Sequence, residues 1–143
     1  MRPNIVGTGA HGATDVTGFG LLGHARNLAQ HQHAKNLVFR IHTLPVIANM
    51  DVVSTSMNVF KLLEGTSAET SGGLLIMMPR DKAEQYCREI EEREGQPAWI
   101  VGEIIEGQPT TLEEHAFIDK DNLKVISVMP PRDKITLNTK TEF

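Results

Sequence analysis

Apolar residues recur at three- and four-residue spacing between Gly18 and Gln30. The recurring positions are Leu21, Leu22, Ala25, Leu28 and Ala29. This period places them on one side of a helix, so the pattern predicts an amphipathic helix over 18–30. Thr17 comes directly before it, and a threonine hydroxyl there can accept an early backbone N–H. We therefore expect Thr17 to be the N-cap.

Two further helices are predicted over 46–54 and 80–93, because each follows a proline, which is tolerated at the first helical position. The apolar stretch 57–63 is interpreted as a short helix. The helix over 80–93 carries a core stripe of Ala83, Tyr86, Cys87 and Ile90. Gly95 is expected to end that helix, since glycine commonly follows the last helical residue.

Other stretches have the pattern of strands. Residues 37–42 alternate apolar and polar, as a half-buried strand does. Residues 74–78 are continuously apolar, which is typical of a strand buried on both faces. Residues 98–105 predict a strand with a bulge at Gly102. Strands at 117–118 and 123–128 are expected around a turn at 121–122.

The order of these elements predicts an α+β fold, a β-sheet of mixed direction covered by helices. Along the chain we expect an irregular segment over 1–12, the α+β domain over 13–129 and a polar tail over 130–143. The long polar loop over 65–73 carries three of the glycines and separates two predicted elements. Sites on loops of a rigid scaffold are common in enzymes, so the loops near residues 15 and 70 are the informative ones.

Composition narrows the class of protein. The chain has 143 residues, with 40% apolar and 22% charged residues, which suits one folded domain. The net charge is -4 and no Lys/Arg stripe is present, which argues against nucleic acid or an anionic membrane as a partner. No apolar run approaches the ~20 residues that span a bilayer, and no signal peptide is recognised. The single cysteine favours a reducing compartment, so a cytoplasmic location is expected.

The histidines and the cysteine give little support to a site of their own. His31 and His33 lie in a polar run and are interpreted as solvated. No Cys or His spacing typical of zinc is present. Cys87 is interpreted as a small buried hydrophobe rather than a nucleophile, since no base stands beside it. His24, in the second turn of the first helix, is interpreted as a core or interface histidine in preference to a ligand contact.

The stretch from Thr14 to His24 carries the candidate chemistry. Asp15 ends a short extended segment, and Gly18, Gly20 and Gly23 follow as the first helix begins. A carboxylate beside a helix N-terminus suits a metal ion that carries a phosphorylated ligand, because the carboxylate binds the cation and backbone N–H groups bind the anion. The alternative is a strand-to-helix turn whose glycines only allow close packing.

The same glycines match the dinucleotide fingerprint G-x-G-x-x-G. That fingerprint should follow a buried hydrophobic strand, with an acidic residue about 20 residues further on. The segment before Gly18 is instead polar and interrupted by glycine, and the next acidic residue after Asp15 is Asp51. The pattern therefore argues against a nicotinamide dehydrogenase.

Two motifs together resemble a known family. Residues 15–24 read Asp-Val-Thr-Gly-Phe-Gly-Leu-Leu-Gly-His, and residues 69–75 read Glu-Thr-Ser-Gly-Gly-Leu-Leu. Both resemble the C-terminal half of selenophosphate synthetase (selenide, water dikinase), the C-terminal domain of the aminoimidazole ribonucleotide synthetase-like superfamily. The resemblance runs from about residue 13 to about residue 126. Aminoimidazole ribonucleotide synthetase and thiamine-phosphate kinase share the two-domain plan. They resemble this chain less, because they lack the Asp-Val-Thr-Gly-Phe-Gly sequence of the first motif.

The resemblance implies a reaction, for selenocysteine synthesis, in which ATP, selenide and water give selenophosphate, AMP and phosphate. It implies Mg²⁺ as cofactor, an N-terminal domain that binds most of the ATP, and a homodimer of the full-length protein. Asp15 would join the metal ligands of that domain, and Thr17, Gly18 and Gly20 would line the same cleft. The loop over 70–73 would shape the floor of the cleft or pack against the first helix.

The resemblance places no catalytic residue in this half, so we expect the 143-residue chain alone not to turn over ATP. An apolar surface is expected where the N-terminal domain would dock, and it should promote self-association. Two other functions stay open from the sequence. One is a non-catalytic module that binds a partner through this surface, and the other is a stand-alone nucleotide- or phosphate-binding domain.

Overall fold

Seven strands and three α-helices make up the part of the chain that the computed structural model describes, residues 9–68 and 72–129. In order they are β1 (Gly12–Asp15), α1 (Gly20–Gln30), β2 (Leu37–Ile41), β3 (Thr43–Ile47), α2 (Met50–Met57), β4 (Leu74–Met77), α3 (Arg80–Glu94), β5 (Gly102–Glu106), β6 (Ala116–Ile118) and β7 (Lys124–Val128). Two 3₁₀ turns cover Leu62–Glu64 and Glu113–His115. Most of the irregular segment predicted over 1–12 and all of the tail predicted over 130–143 lie outside the described residues.

Strand pairing is of mixed direction. β2 is the central strand of a three-stranded sheet, with β5 antiparallel on one side and β6 parallel on the other. β3 pairs in parallel with β7, and β1 pairs antiparallel with β4. Arg40 of β2 lies opposite Glu103 of β5 in register, and their side chains form an ion pair at 2.6 Å. Mixed strand pairing together with helices confirms the α+β prediction.

β2 and β3 form one bent strand with His42 at the bend, and β6 and β7 follow it as a second interrupted strand. On either side of the interruption, the Asp119 N–H donates to the Ile41 carbonyl and the Lys124 N–H to the His42 carbonyl, both at 2.8 Å. Residues 119–123 therefore bulge out opposite a single residue. The two strands predicted around the turn at 121–122 exist, and they run in the same direction rather than pairing with each other.

The core lies between α1 and the bent strand. α1 contributes Leu22, Ala25, Leu28 and Ala29, which are the buried members of the predicted stripe. Phe39, Ile41, Leu44, Val46, Met77 and Ala116 complete the core cluster. Each aliphatic side chain buried in this way contributes roughly 1.5–3 kcal/mol. The helical pattern of the sequence is thus explained by burial of one face of α1, which contacts β1, β2 and β6.

At the C-terminal end of α1, polar side chains form hydrogen bonds with carbonyl groups of the last turn. His31 Nδ1 lies 2.7 Å from the Asn27 carbonyl, and Gln32 Nε2 donates to the Leu28 carbonyl at 2.9 Å. At the other end, α1 begins at Gly20 rather than at 18, and the N-cap position is held by Phe19 without a side-chain hydrogen bond. The prediction that the Thr17 hydroxyl caps the helix is wrong.

The helix predicted over 46–54 is also wrong in its first half. Pro45 lies within β3, opposite Ile126 of β7. Proline is tolerated there because β3 pairs on one side only among the described strands. α2 begins after Asn49, whose φ of 68° is left-handed, and it ends at Asn58, with φ of 51°. Asparagine adopts this conformation more readily than most residues, which sets both ends of α2.

The helix interpreted over 57–63 is not formed either. Phe60 and Lys61 have positive φ values of 66° and 49°, which interrupt any helix, and only a 3₁₀ turn over 62–64 follows. The strand predicted over 74–78 is present as β4, but its expected burial on both faces is wrong. Leu74 is 58% exposed, and among the described strands β4 pairs with β1 alone.

α3 agrees with its prediction in extent and in its end at Gly95, which has a φ of 67°. Its predicted core stripe is only half-buried. The strand expected from residue 98 begins at Gly102. The bulge predicted at Gly102 is not formed there, because Gly102 pairs in register with Ile41. The irregularity lies in the facing strand, where the N–H groups of His42 and Thr43 both donate to the Val101 carbonyl at 3.0 Å.

Candidate metal and phosphate site at the start of α1

Asp15 is the last residue of β1 and its side chain is exposed. Its backbone is held on both sides. Asp15 lies opposite Leu74 in the pairing of β1 with β4, and the next residue, Val16, donates its N–H to the Gly73 carbonyl at 3.0 Å. The carboxylate therefore projects from a fixed backbone at the rim where β1 ends and α1 begins.

The same pairing brings the two sequence motifs together. Residues 15 and 16 of the first motif contact residues 73 and 74 of the second through the β1–β4 ladder and the Val16–Gly73 hydrogen bond. Residues 69–71 lie outside the described part, so the prediction for the loop over 70–73 applies here to its last two residues. Of these two, Gly73 supports the backbone next to Asp15, because its carbonyl accepts the Val16 N–H.

Thr17 is hydrogen-bonded to His24, which lies seven residues later in the chain, on α1. The Thr17 N–H donates to His24 Nε2 at 3.0 Å, and Thr17 Oγ1 lies 3.2 Å from the same nitrogen. An imidazole nitrogen that accepts an N–H has a free lone pair, so the proton of the neutral ring is assigned to Nδ1. His24 is 8% exposed, which agrees with its interpretation as a core histidine.

Sequence reasoning did not identify Thr17 as the partner of this histidine. The signal was present: a polar ring stands among the apolar residues of the buried face of α1. Buried polar groups are almost always hydrogen-bonded, so such a residue requires a nearby donor or acceptor.

Two of the three motif glycines serve close packing. Gly20 has a φ of +68°, and a Cβ built there would lie 2.7 Å from the Ser67 carbonyl oxygen. A Cβ on Gly23 would lie 2.6 Å from the Cβ of Phe19. Around Gly18, in contrast, a Cβ would meet nothing within 4 Å. The close-packing alternative therefore accounts for Gly20 and Gly23, and it leaves Gly18 unexplained.

Several amides that could bind an anion are already engaged. The Gly20 N–H donates to the Thr17 carbonyl at 3.0 Å, and the Leu22 N–H to the Gly65 carbonyl at 2.8 Å. The Thr17 N–H is bound to His24. Within residues 9–68 and 72–129, no hydrogen bond is formed by the N–H groups of Gly18 and Phe19. Fewer amides are therefore free at the start of α1 than the sequence suggested, and those of Gly18 and Phe19 have no partner within the described residues.

The donor set of the site is small. Across the described residues, no group of three or more His, Cys, Asp or Glu side chains could hold a metal ion. Mg²⁺ is usually bound through one or two carboxylates together with substrate phosphates. Asp15 has the chemistry of one oxygen ligand of such a site, and the remaining ligands would have to come from outside the described residues.

Two exposed apolar side chains belong to the motifs that meet at Asp15. Phe19 is 67% exposed and Leu74 58% exposed. Other exposed apolar side chains of the described part lie away from these motifs, among them Ile47, Val52 and Phe60. The apolar docking surface expected from the sequence therefore stays a prediction.

A shallow groove elsewhere in the described part is lined by none of the residues of this rim. It has a volume of about 360 Å³ and lies between α3 and β7, with Cys87, Trp99 and Lys124 among its lining residues. Burial raises the pKa of the Cys87 thiol, and the negative charge of Glu84 raises it further. A thiol with a raised pKa is a poor nucleophile, in agreement with the structural interpretation of Cys87.

The topology excludes the dinucleotide interpretation of the glycines. In a βαβ unit the strand before the glycines lies parallel to the strand after the helix. Here β1 pairs antiparallel with β4, whereas β2 pairs with β5 and β6.

None of the described helices is long and apolar enough to cross a membrane.

Comparison with known proteins gives a consistent result. The model of the family described as AIR synthase related protein, C-terminal domain, matches residues 2–114. The chain is 53% identical over 123 residues to the selenide, water dikinase of Dictyostelium discoideum, with 85% of this chain and 34% of that protein covered. It is 51% identical over 124 residues to selenide, water dikinase 2 of Homo sapiens, with 85% and 26% covered. The chain thus spans about a quarter to a third of the length of these relatives.

Proposed function

Since this chain belongs to the AIR synthase related protein, C-terminal domain, family, we propose that it acts as the C-terminal part of a selenide, water dikinase. The proposed reaction converts ATP, selenide and water into selenophosphate, AMP and phosphate. The observation that carries this proposal is the exposed Asp15 carboxylate, held on a fixed backbone where the two motifs meet.

In this proposal Asp15 supplies one oxygen ligand to Mg²⁺, and an N-terminal domain supplies the others and most of the ATP site. Bound Mg²⁺ would offset the charge on the phosphate oxygens as each phosphoryl group leaves. The N–H of Gly18 is the one amide of the proposed cleft residues, Thr17, Gly18 and Gly20, that is not engaged within the described structure. It is therefore the best placed of the three to contact a phosphate.

The exposed apolar side chains of Phe19 and Leu74 support docking of a further domain at this rim. A full-length homodimer is part of the same proposal. So is a cytoplasmic location, in which a free thiol such as that of Cys87 is normal. One carboxylate does not make a metal site, so the 143-residue chain alone should be inactive.

A chimera tests the proposal. The segment of the Dictyostelium relative that matches this chain is replaced by this chain, and AMP formation from ATP and selenide is measured. We expect the chimera to be active and the isolated chain to form no AMP. Asp15→Asn should lower the rate of the chimera on the order of a hundredfold, since a metal ligand supplies several kcal/mol of transition-state stabilisation.

Asp121→Asn is the matched control, because Asp121 is an equally exposed aspartate in the turn between β6 and β7. It should leave the rate unchanged, and both variants should keep the melting temperature of the parent, since neither carboxylate is buried. A folded chimera without activity would refute the proposed function. Normal activity of Asp15→Asn would remove Asp15 from the metal site.

A further inference from the structure

The link between β1 and α1 is held at three points. The Val16 N–H donates to Gly73, the Thr17 N–H to His24 and the Gly20 N–H to the Thr17 carbonyl. Backbone carbonyl oxygens accept the N–H groups of Val16 and Gly20. The N–H of Thr17 is instead accepted by a side chain, that of His24, and it is the one such bond of this link within the described residues.

His24 is an unusual residue for its position. It lies on the buried face of α1, next to Ala25, and its ring is 8% exposed. A buried polar ring costs stability unless it is hydrogen-bonded, and an apolar side chain would avoid that cost. The ring meets Thr17 through Nε2 and packs against Phe19 with centroids 5.5 Å apart and planes inclined by 51°. It therefore contacts the link at two residues, Thr17 and Phe19.

We propose that His24 is a positioning residue for Asp15, and that it acts by accepting the Thr17 N–H on its unprotonated Nε2. This inference rests on the proposed function for its consequence in catalysis. Thr17 follows Asp15 by two residues, and its bond to His24 holds the chain just beyond the Val16–Gly73 bond. Loss of the His24 bond should therefore loosen the end of the backbone segment that carries the carboxylate. Metal sites tolerate displacements of only about 0.5 Å, which gives the position of this link a direct effect on metal binding.

Two variants with the same functional group separate positioning from simple packing. In His24→Gln the side-chain carbonyl oxygen can take the place of Nε2 and accept the Thr17 N–H. In His24→Asn the amide is one methylene shorter, so its oxygen corresponds to Nδ1 and does not reach Thr17. Both replacements are neutral, polar and smaller than or similar in size to histidine, which makes the position of the acceptor the main difference.

The first readout is the hydrogen exchange of the Thr17 amide, measured by NMR on this chain. We expect protection in the parent and in His24→Gln, and exchange about tenfold faster or more in His24→Asn, a ratio that corresponds to about 1.4 kcal/mol. The ¹⁵N shift of His24 Nε2 in the parent provides a test without mutation. It should be that of an unprotonated nitrogen.

The second readout is the Mg²⁺ concentration that gives half-maximal AMP formation in the chimera. It should rise at least about tenfold in His24→Asn and return towards the parent value in His24→Gln. A residue that only fills space would lower the melting temperature of both variants without this recovery.

A protonated Nε2, or a Thr17 amide that stays protected in His24→Asn, would overturn the proposal. So would an unchanged Mg²⁺ requirement in a His24→Asn chimera whose Thr17 amide has lost protection, because the bond would then have no effect on the site. If the amide pattern holds but the parent chimera is inactive, the result supports the hydrogen-bond role of His24 and refutes the proposed function. The two failures can thus be told apart.

Discussion

Replacing Gly20 by alanine should destabilise the junction between β1 and α1, because the backbone and its neighbours leave no room for a Cβ. The φ of +68° lies in the left-handed region, where an L-residue other than glycine is strained by about 1–2 kcal/mol. The new Cβ would lie 2.7 Å from the Ser67 carbonyl oxygen and 2.8 Å from that of Gly65. These are backbone atoms, and moving them would stretch the 2.8 Å hydrogen bond from the Leu22 N–H to Gly65.

Overpacking of this kind typically costs about 1–3 kcal/mol. Alanine restricts the unfolded chain and recovers about 0.4–1 kcal/mol of this loss. We therefore expect Gly20→Ala to lower the free energy of unfolding by about 2–4 kcal/mol, a large share of the stability of a small domain.

Urea unfolding followed by circular dichroism measures this change, with the midpoint and the slope fitted together. Gly18→Ala is the matched control. Gly18 lies two residues earlier in the same motif, has no positive φ, and would place its Cβ in open space. It should change the free energy of unfolding by no more than about 0.5 kcal/mol. Equal losses in both variants, or no loss at Gly20, would show that the glycines are not distinguished by packing.

Two further predictions concern titrating groups. Glu114 Oε2 accepts the Thr110 N–H at 2.6 Å, and this bond, followed by those from the Thr110 hydroxyl and the Thr111 N–H, lowers the pKa of Glu114. The contribution of Glu114 to stability is therefore present above its unfolded pKa and lost as the pH falls through the lower folded pKa. An NMR titration of Glu114 should give a midpoint below that of an unstructured glutamate. Glu114→Gln should abolish this part of the acid sensitivity of the fold. A midpoint at or above the ordinary glutamate value would contradict the prediction. Burial, followed by the charge of Glu84, raises the pKa of Cys87. Iodoacetamide should therefore modify Cys87 more slowly in the folded chain than in the urea-unfolded chain at pH 8. Equal rates in the two states would count against this prediction.

The sequence by itself determined the elements whose signal is local. α1 and α3 follow from the 3.6-residue period of their apolar positions, and the end of α3 follows from a glycine that adopts a left-handed φ at little cost. The pattern over 37–42 also located β2, although Val38 and Phe39, which point to opposite faces of the strand, are both buried. The order of the two motifs was also sufficient for the resemblance to the family, and for the choice of Asp15 as the candidate ligand.

Tertiary structure alone decided which residues meet across the chain. Pro45 belongs to a strand because β7, some eighty residues later, pairs with it, and no local rule contains that partner. Leu74 is exposed although the apolar run of β4 suggested a strand covered on both faces, because such covering depends on segments that pack from elsewhere in the chain. His24 accepts the Thr17 N–H because the second turn of α1 lies against the segment between β1 and α1. Local sequence specifies backbone preference and amphipathicity, whereas strand pairing, burial and hydrogen-bond partners depend on contacts between distant segments.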